Sequence, residues 1–473
     1  MSAVTEEFGG IDVSARRPLG DVQKGYTSFL ANDVLLAKIT PCMENGKLAV
    51  VPPLPDQLAF GSTEFHVLRA MSQVRPSWLA HFLSQSAFRK HARQNMTGSA
   101  GQLRVSTKWL ADAQIPVAPA AEQTRIVGKL EELLSDLDAG VAELKAAQKK
   151  LTQYRQSLLK AAVEGALTAD WRRHNRPTET GAQLLERILT ERRARWEAGQ
   201  LAKFKEQGKT PPKDWQKKYP EPVQPDTADL PKLPEGWVWA SVDQLSPGDL
   251  ANGRSVPTAD NGAKVLRLTA VRDGQIDLKE FKCGAWTDKD ARPFALSKGD
   301  LLVVRGNGSL SLLGRMGLVP AVTEPIAYPD TLIRLRVLES IVTPGWISTL
   351  WDSALVRLHL ERRARTSAGI YKISQPDIVS VAIPVPPISE QMTALRVLDL
   401  VRQEALSSAI AIDHALHQST AQRQNILRAA FSGQLVPQDP DDEPAAVLLE
   451  RIRAERATQR GTLTRRGRKK KAA

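Results

Sequence analysis

The clearest pattern in the chain is a run of apolar residues at alternating spacings of four and three between residues 120 and 165. The series is Ile126, Leu130, Leu133, Leu137, Gly140, Leu144, Ala147, Leu151, Tyr154 and Leu158, and only Gly140 breaks it. A seam of that period predicts a coiled-coil helix, about 65–70 Å long at 1.5 Å per residue. Pro119 and Glu122 mark its start. A weaker stripe, Leu398, Val401, Ala405, Ala409, Ile412 and Leu416, predicts a second long helix over 389–433. Ahead of the first helix, residues 34–39 and 48–51 read as short strands around a turn-rich loop, and residues 76–96 alternate at helical spacing. Ahead of the second, residues 301–304 read as a strand, 305–315 as a Gly-rich loop and 344–360 as a helix. Strands and helices do not alternate as βαβ units, so the pattern is α+β.

The two halves also match residue by residue. Gly98-Ser99-Ala100-Gly101 falls on Thr366-Ser367-Ala368-Gly369 at a shift of 268, as do Ile115-Pro116-Val117 on Ile383-Pro384-Val385 and Glu122-Gln123 on Glu390-Gln391. Leu184 to Ile188 reappears as Leu448 to Ile452 at a shift of 264. A solenoid repeats every 20–50 residues or so, so this longer period means one domain plus its helix, used twice. The second copy opens at Leu233-Pro234-Glu235-Gly236-Trp237. Shifting that point by 268 puts it 35 positions ahead of Met1, so the first copy is expected to lack its front part.

Composition narrows the function. Lys and Arg number 65 against 52 Asp and Glu, a net charge of +13, which favours a polyanionic partner. Residues 168–218 carry 13 basic and 7 acidic side chains, and 460–473 carry 7 basic and none acidic. The bulk charge therefore marks a basic helix (178–207) and a tail expected to be disordered, suited to non-specific attraction to DNA. Residues 209–234 read as a Pro-rich linker. Two cysteines, Cys42 and Cys283, exclude a Cys-rich zinc site, and no apolar run reaches membrane-spanning length. No signal peptide is visible, so the expected compartment is the cytoplasm. There is no P-loop, no complete dinucleotide loop and no Asn-Pro-Pro-aromatic motif. The residues read as a binding and scaffold protein without catalytic, cofactor or metal residues of its own.

The stretches Ile115-Pro116-Val117 to Glu122-Gln123, Ile383 to Gln391, Leu158 to Leu167, Ile426 to Leu435 and Leu233 to Trp239 resemble the specificity subunit of type I restriction–modification systems. The resemblance covers nearly all of residues 8–455. It implies two α/β target-recognition domains joined by two long helices that pair as an antiparallel coiled coil. On that plan residues 1–118 form recognition domain 1, with its front missing, and 119–167 form the first long helix. A basic helix and linker (168–230) lead to recognition domain 2 (231–387). The second long helix is 388–435, and 436–473 form a short helix and basic tail.

The resemblance further implies a non-catalytic subunit that reads a bipartite site on double-stranded DNA. It would scaffold two modification (methyltransferase) subunits and join restriction (motor–nuclease) subunits, with S-adenosylmethionine, ATP and Mg held by those partners. The alternatives are a degenerate, inactive specificity subunit and a coiled-coil adaptor that binds only proteins. Candidate DNA-contacting residues are the polar loops that the repeat places at equivalent positions. In copy one they are Lys38, Thr40, Asn45, Lys47, Ser99, Gln102 and Arg104. In copy two they are Arg305, Asn307, Ser309, Arg315, Arg365, Ser367, Tyr371 and Lys372. Arg and Asn can read base edges, while Lys and Ser can hold phosphate. Leu130, Leu137, Leu144, Leu151, Leu398 and Ile412 are the expected scaffold positions.

Overall fold

The computed structural model describes residues 1–469 apart from Gly9, Pro55, Ser72, Ala100, Asp249, 339–341 and Ala368; side chains are described as far as 458, without that of Ser367. The chain divides into two compact units, Met1–Ala147 with Ala411–Ala473, and Gln148–Ile410. No helix among the described residues is long and apolar enough to cross a membrane.

In the first unit a small antiparallel sheet has Val34–Ala37 at its centre, flanked by Leu48–Val50 and Phe65–Leu68. Val34–Ala37 is buried on both faces, which is why it reads as an unbroken apolar run rather than an alternation. Val34, Leu36 and Leu48 meet the helices Pro76–Ser84 and Ser86–Gln94 through Leu79, Leu83 and Phe88. The single helix expected over 76–96 is interrupted at Gln85, whose ψ of 138° is extended.

The second unit repeats this plan on a larger scale. Its six-stranded sheet has Leu301–Val304 between Met316–Leu318 and Leu332–Leu335. Pro344–Trp351 and Ala354–Arg363 take the place of the single helix expected over 344–360. Ser353 stands between them, and its side chain accepts from the Val356 N–H, which starts the second helix afresh. Trp346, Ile347, Leu350 and Trp351 are completely buried.

The long helices span Ala120–Val163 and Ile388–Phe431. In the first unit Ile126, Val127, Leu130 and Leu134 near the start of one pack with Leu427 and Ala430 near the end of the other. Farther along, Asp138 pairs with Arg423. In the second unit Ala162 and Val163 share a core with Ala394 and Leu398. Start meets end in each unit, so the pairing is antiparallel.

The seam is closed only where a domain core reinforces it. Leu130 and Leu398 are buried, but Leu137, Leu144, Leu151 and Ile412 are half-exposed and Tyr154 is exposed. Leu134, not Leu133, carries the buried step after Leu130. An open groove of about 810 Å³ runs along Leu137, Gly140, Leu144 and Ala147 beside Ser419.

The basic helix lies at Gly181–Glu206, started by a capping box between Thr180 and Gln183. It is not a free DNA-attracting arm. Leu184 and Ile188 are fully buried in the second unit's core, and Arg192 is buried against Asp243, Tyr219 and the Ser246 carbonyl. Gly181 is required there, because a Cβ would stand 2.1 Å from the Val385 carbonyl oxygen. The expected linker is strapped down as well. Val223 N–H donates to Asp243, Ser241 Oγ donates to Val223 O, and Trp215 stacks on Trp196. The last helix, Ala445–Lys469, continues through Arg460, where the basic tail was expected to leave regular structure. The remaining tail residues, 470–473, lie outside the described residues.

Candidate nucleic-acid interface

The strand Leu301–Val304 does not stop at the sheet edge. Past Arg305 the chain enters Gly306–Asn307, which pairs with Ile370–Lys372, and that strand pairs in turn with Arg365–Ser367. The result is a three-stranded finger apart from the main sheet. Two segments more than 50 residues apart, both expected to be polar loops, thus form one surface. Asn307 stands opposite Tyr371, and Gly306 and Arg365 opposite Lys372. Arg365 and Lys372 are exposed, while Arg305 and Tyr371 are half-buried.

The same construction occurs in the first unit. Ile39 bridges to Arg104 and Arg104 to Thr97, the positions that Gly306, Lys372 and Arg365 hold in the second unit. The turn glycines match too. Gly101 and Gly369 have φ of 82° and 76°, a left-handed conformation that glycine adopts without strain. Thr40 N–H and Oγ both donate to the Leu103 carbonyl. Lys38 O accepts from Val105 N–H, as Arg305 O accepts from Ile373 N–H. Lys38 and Thr40 therefore join Ser99, Gln102 and Arg104 on one hairpin. Asn45 and Lys47 do not. They sit at the far end of the 40–47 turn, where Asn45 Nδ2 donates to Glu6 and the chain is held by Glu7 and Phe8.

The charges on the two fingers differ. Arg104 makes a two-pronged ion pair with Glu64, at 2.9 and 3.1 Å. Those hydrogen bonds hold the Glu64 carboxyl below its usual range and raise the Arg104 guanidinium. Sequence reading missed Glu64, because it belongs to neither loop. Lys372, the counterpart of Arg104, faces no such carboxylate among the described residues. Arg315 donates to Ser311 O. Asn307 Oδ1 accepts from Ser309 N–H at 2.8 Å, and the hydroxyls of Ser309 and Ser311 lie 2.9 Å apart. Asn307 thus keeps its side-chain NH₂ as a free donor. Ser367 supplies backbone only, since its side chain and Ala100 and Ala368 of the repeat fall outside the described residues.

Behind each finger the two copies share their bracing bond for bond. Arg69 grips Asp33 at 2.7 Å on both oxygens, as Arg336 grips Asp300. Burial pushes the Asp33 carboxyl up, but hydrogen bonds from Arg69 and the Leu30 N–H outweigh it and the net shift is downward. Trp78 Nε1 donates to Pro116 O at 3.0 Å, and Trp346 Nε1 to Pro384 O at 2.9 Å. The buried amides of Gln123 and Gln391 accept from Arg75 N–H and Thr343 N–H, and donate to Ala118 O and Pro386 O. Each Gln side chain therefore ties the first turn of a long helix to the domain in front of it.

No protein-family model matches the chain. Its sequence is 28% identical over 446 residues to the specificity subunit of the type I restriction enzyme EcoKI from Escherichia coli K12, covering 90% of this chain and 83% of that one. It is 26% identical over 450 residues to the EcoEI specificity subunit of Escherichia coli, covering 84% and 72%. Among solved structures it resembles a chain described under "complex assembly and conformational transition of the type I R-M system". The TM-score is 0.62 and the identity 21%, over 92% of this chain and 90% of that one. The structural likeness is one of fold.

Proposed function

From the premise that this chain is a homologue of type I restriction enzyme specificity subunits, we propose that it reads a two-part DNA target, one part with each unit, and holds the catalytic subunits around it. It is a recognition component and not itself the enzyme. The observation that carries the reading is the finger built twice, from loops far apart in sequence, on two domains braced by identical bonds.

The finger suits a groove of DNA. A narrow antiparallel ribbon fits the major groove. Lys372 and Arg365 would hold phosphate, and the free NH₂ of Asn307 would donate to a base acceptor such as guanine O6 or N7. With Oδ1 already engaged by Ser309, Asn307 makes the two-pronged contact to adenine only if that turn opens. In the first unit Gln102 and Ser99 are exposed and ready, whereas Arg104 must leave Glu64 to reach DNA. The long helices would serve as the scaffold, docking two modification subunits and the restriction subunits. In this proposal S-adenosylmethionine, ATP and Mg belong to those partners, and the complex works in the cytoplasm.

The test is site selection from random DNA by the chain assembled with its modification subunit. A two-part motif with a fixed gap is the expected product. Arg305→Ala, Asn307→Ala and Lys372→Ala should each weaken binding, by about 1–3 kcal/mol where a base contact is lost. The base-reading changes should relax one part of the motif and leave the other intact. Unchanged motif and affinity in all three variants would remove the fingers as readers.

A further inference from the structure

The bond-for-bond match between the units fails in one place. In the second unit Ala382–Val385 is completely buried and pairs antiparallel with Val238–Ser241. Three groups anchor the segment that contains this partner strand. Trp237 Nε1 donates at 2.9 Å to Glu390, whose buried carboxylate also accepts from Thr168 Oγ1 at 2.6 Å and Arg172 Nε at 2.9 Å. Asp243 just beyond the strand pairs with Arg192 at 3.0 Å. The helix 181–206 covers the strand pair with Leu184 and Ile188.

The first unit has every receiving group and none of the received segment. Residues 114–117 are the counterpart of Ala382–Val385, yet they pair with no strand among the described residues, and Gln114 and Pro116 are exposed. Glu122 is the counterpart of Glu390. It is only 6% exposed, and its carboxylate accepts no hydrogen bond among the described residues. An unpaired buried carboxylate is costly, so its environment is built for a donor. The helix Ala445–Lys469 repeats 181–206 down to the ion pair eight residues long, Arg451–Glu443 for Arg187–Glu179. On it Leu448 is buried like Leu184, but Ile452 is only half-buried where Ile188 is fully so. Arg456, in the place of the buried Arg192, is exposed and pairs with no carboxylate among the described residues.

We propose that the first unit carries a receptor edge for an extended segment of another polypeptide, with the chemistry of Gly236–Ser246. The segment adds as a strand along 114–117. Its first tryptophan donates to Glu122, its small and apolar residues cover Ile115 and Val117, and an acidic residue five or six positions after that tryptophan pairs with Arg456. Strand addition to an open edge draws its affinity from backbone hydrogen bonds and its selectivity from such side-chain pockets.

The experiment uses the full chain and a labelled peptide of residues 231–247, with a photo-crosslinker beside its first tryptophan. Saturable binding of one peptide per chain is expected, with crosslinks to residues around Glu122. Replacing the first tryptophan by Phe removes one hydrogen bond to a buried carboxylate and should weaken binding about tenfold. Arg456→Glu, an exposed change that leaves folding alone, should weaken binding, and a peptide with Lys at the Asp243 position should restore it. Any of four results would overturn the proposal. They are crosslinks around Glu390, no saturable binding, indifference to both tryptophan and Arg456, or a dimer of the free chain that masks the site.

Discussion

Trp346→Phe and Trp78→Phe are the same substitution in two copies of one site, and they should not cost the same. Each removes an indole N–H that donates to a proline carbonyl, at 2.9 Å to Pro384 and 3.0 Å to Pro116. Both tryptophans are buried, at 0% and 2% exposure. The lost apolar area, roughly 40 Å² at 25 cal/mol per Å², costs about 1 kcal/mol in either copy. The carbonyls differ. Pro384 lies in the fully buried strand Ala382–Val385, so its oxygen would be left without a partner, at about 1–3 kcal/mol more. Pro116 lies in the exposed counterpart, where water can replace the indole. The expected totals are about 2–4 kcal/mol for Trp346→Phe and about 1 kcal/mol for Trp78→Phe. Native-state hydrogen exchange reads each copy separately, through amides of Pro344–Trp351 and Pro76–Ser84, and needs no two-state unfolding of the whole chain. Protection should fall by a factor of about thirty to several hundred in the second copy and by less than about tenfold in the first. Equal losses, or a larger loss in the first copy, would refute the argument that the edge at 114–117 is open.

Leu130→Ala should destabilise the first unit by about 2–5 kcal/mol, whereas Leu144→Ala, on the half-exposed stretch of the same seam, should cost well under half as much; chemical denaturation compares them directly. His81 supplies a pH dependence. Burial and the nearby Arg423 push its pKa down from the ordinary 6.5 to about 4, so between those values the unfolded chain binds the proton and the folded chain does not. Stability of the first unit should therefore be full above pH 6.5 and fall as pH drops towards 4, by up to about 3 kcal/mol, and His81→Asn should flatten that slope in urea melts. Glu64→Gln should free Arg104 and raise DNA affinity with a steeper salt dependence, measured by anisotropy titrations at several ionic strengths. Asp300→Ala should loosen the second finger's base by stranding Arg336, seen as faster exchange in Leu301–Val304.

Much of this architecture was legible because it was written twice. The shift of 268 was found from Gly, Pro and Glu-Gln positions, and those residues turn out to hold the turn, the tryptophan bond and the helix brace. The helix breaks at Gln85 and Ser353 were not legible, since the apolar spacing runs on through them and only a local backbone turn interrupts it. The heptad pattern located the long helix but overstated its seam. Spacing shows which side chains could be buried, and only a facing core decides which are, as Leu130 and Leu144 show. The basic helix misled in the opposite way. Counting charge hid the fact that Arg192 faces inward against Asp243, and a buried ion pair adds nothing to the field outside. Of the candidate site, both loops were found but not their union in one finger, which depends on strand pairing across more than 60 residues. Asn45 and Lys47 went with the wrong end of their loop for the same reason.

Glu64 has a consequence beyond local stability. A carboxylate clasping a guanidinium in a fork presents the same two oxygens, at the same spacing, as a phosphate or a guanine edge would. Glu64 is in that sense an internal decoy, already seated where the ligand must go. Whatever engages Arg104 has to outbid it, and a wrong sequence that offers a single acceptor does not. The second finger, with Lys372 unopposed, charges no such toll. One reader is then set for attraction and the other for refusal, and a pair of near-identical domains acquires a division of labour from one acidic side chain.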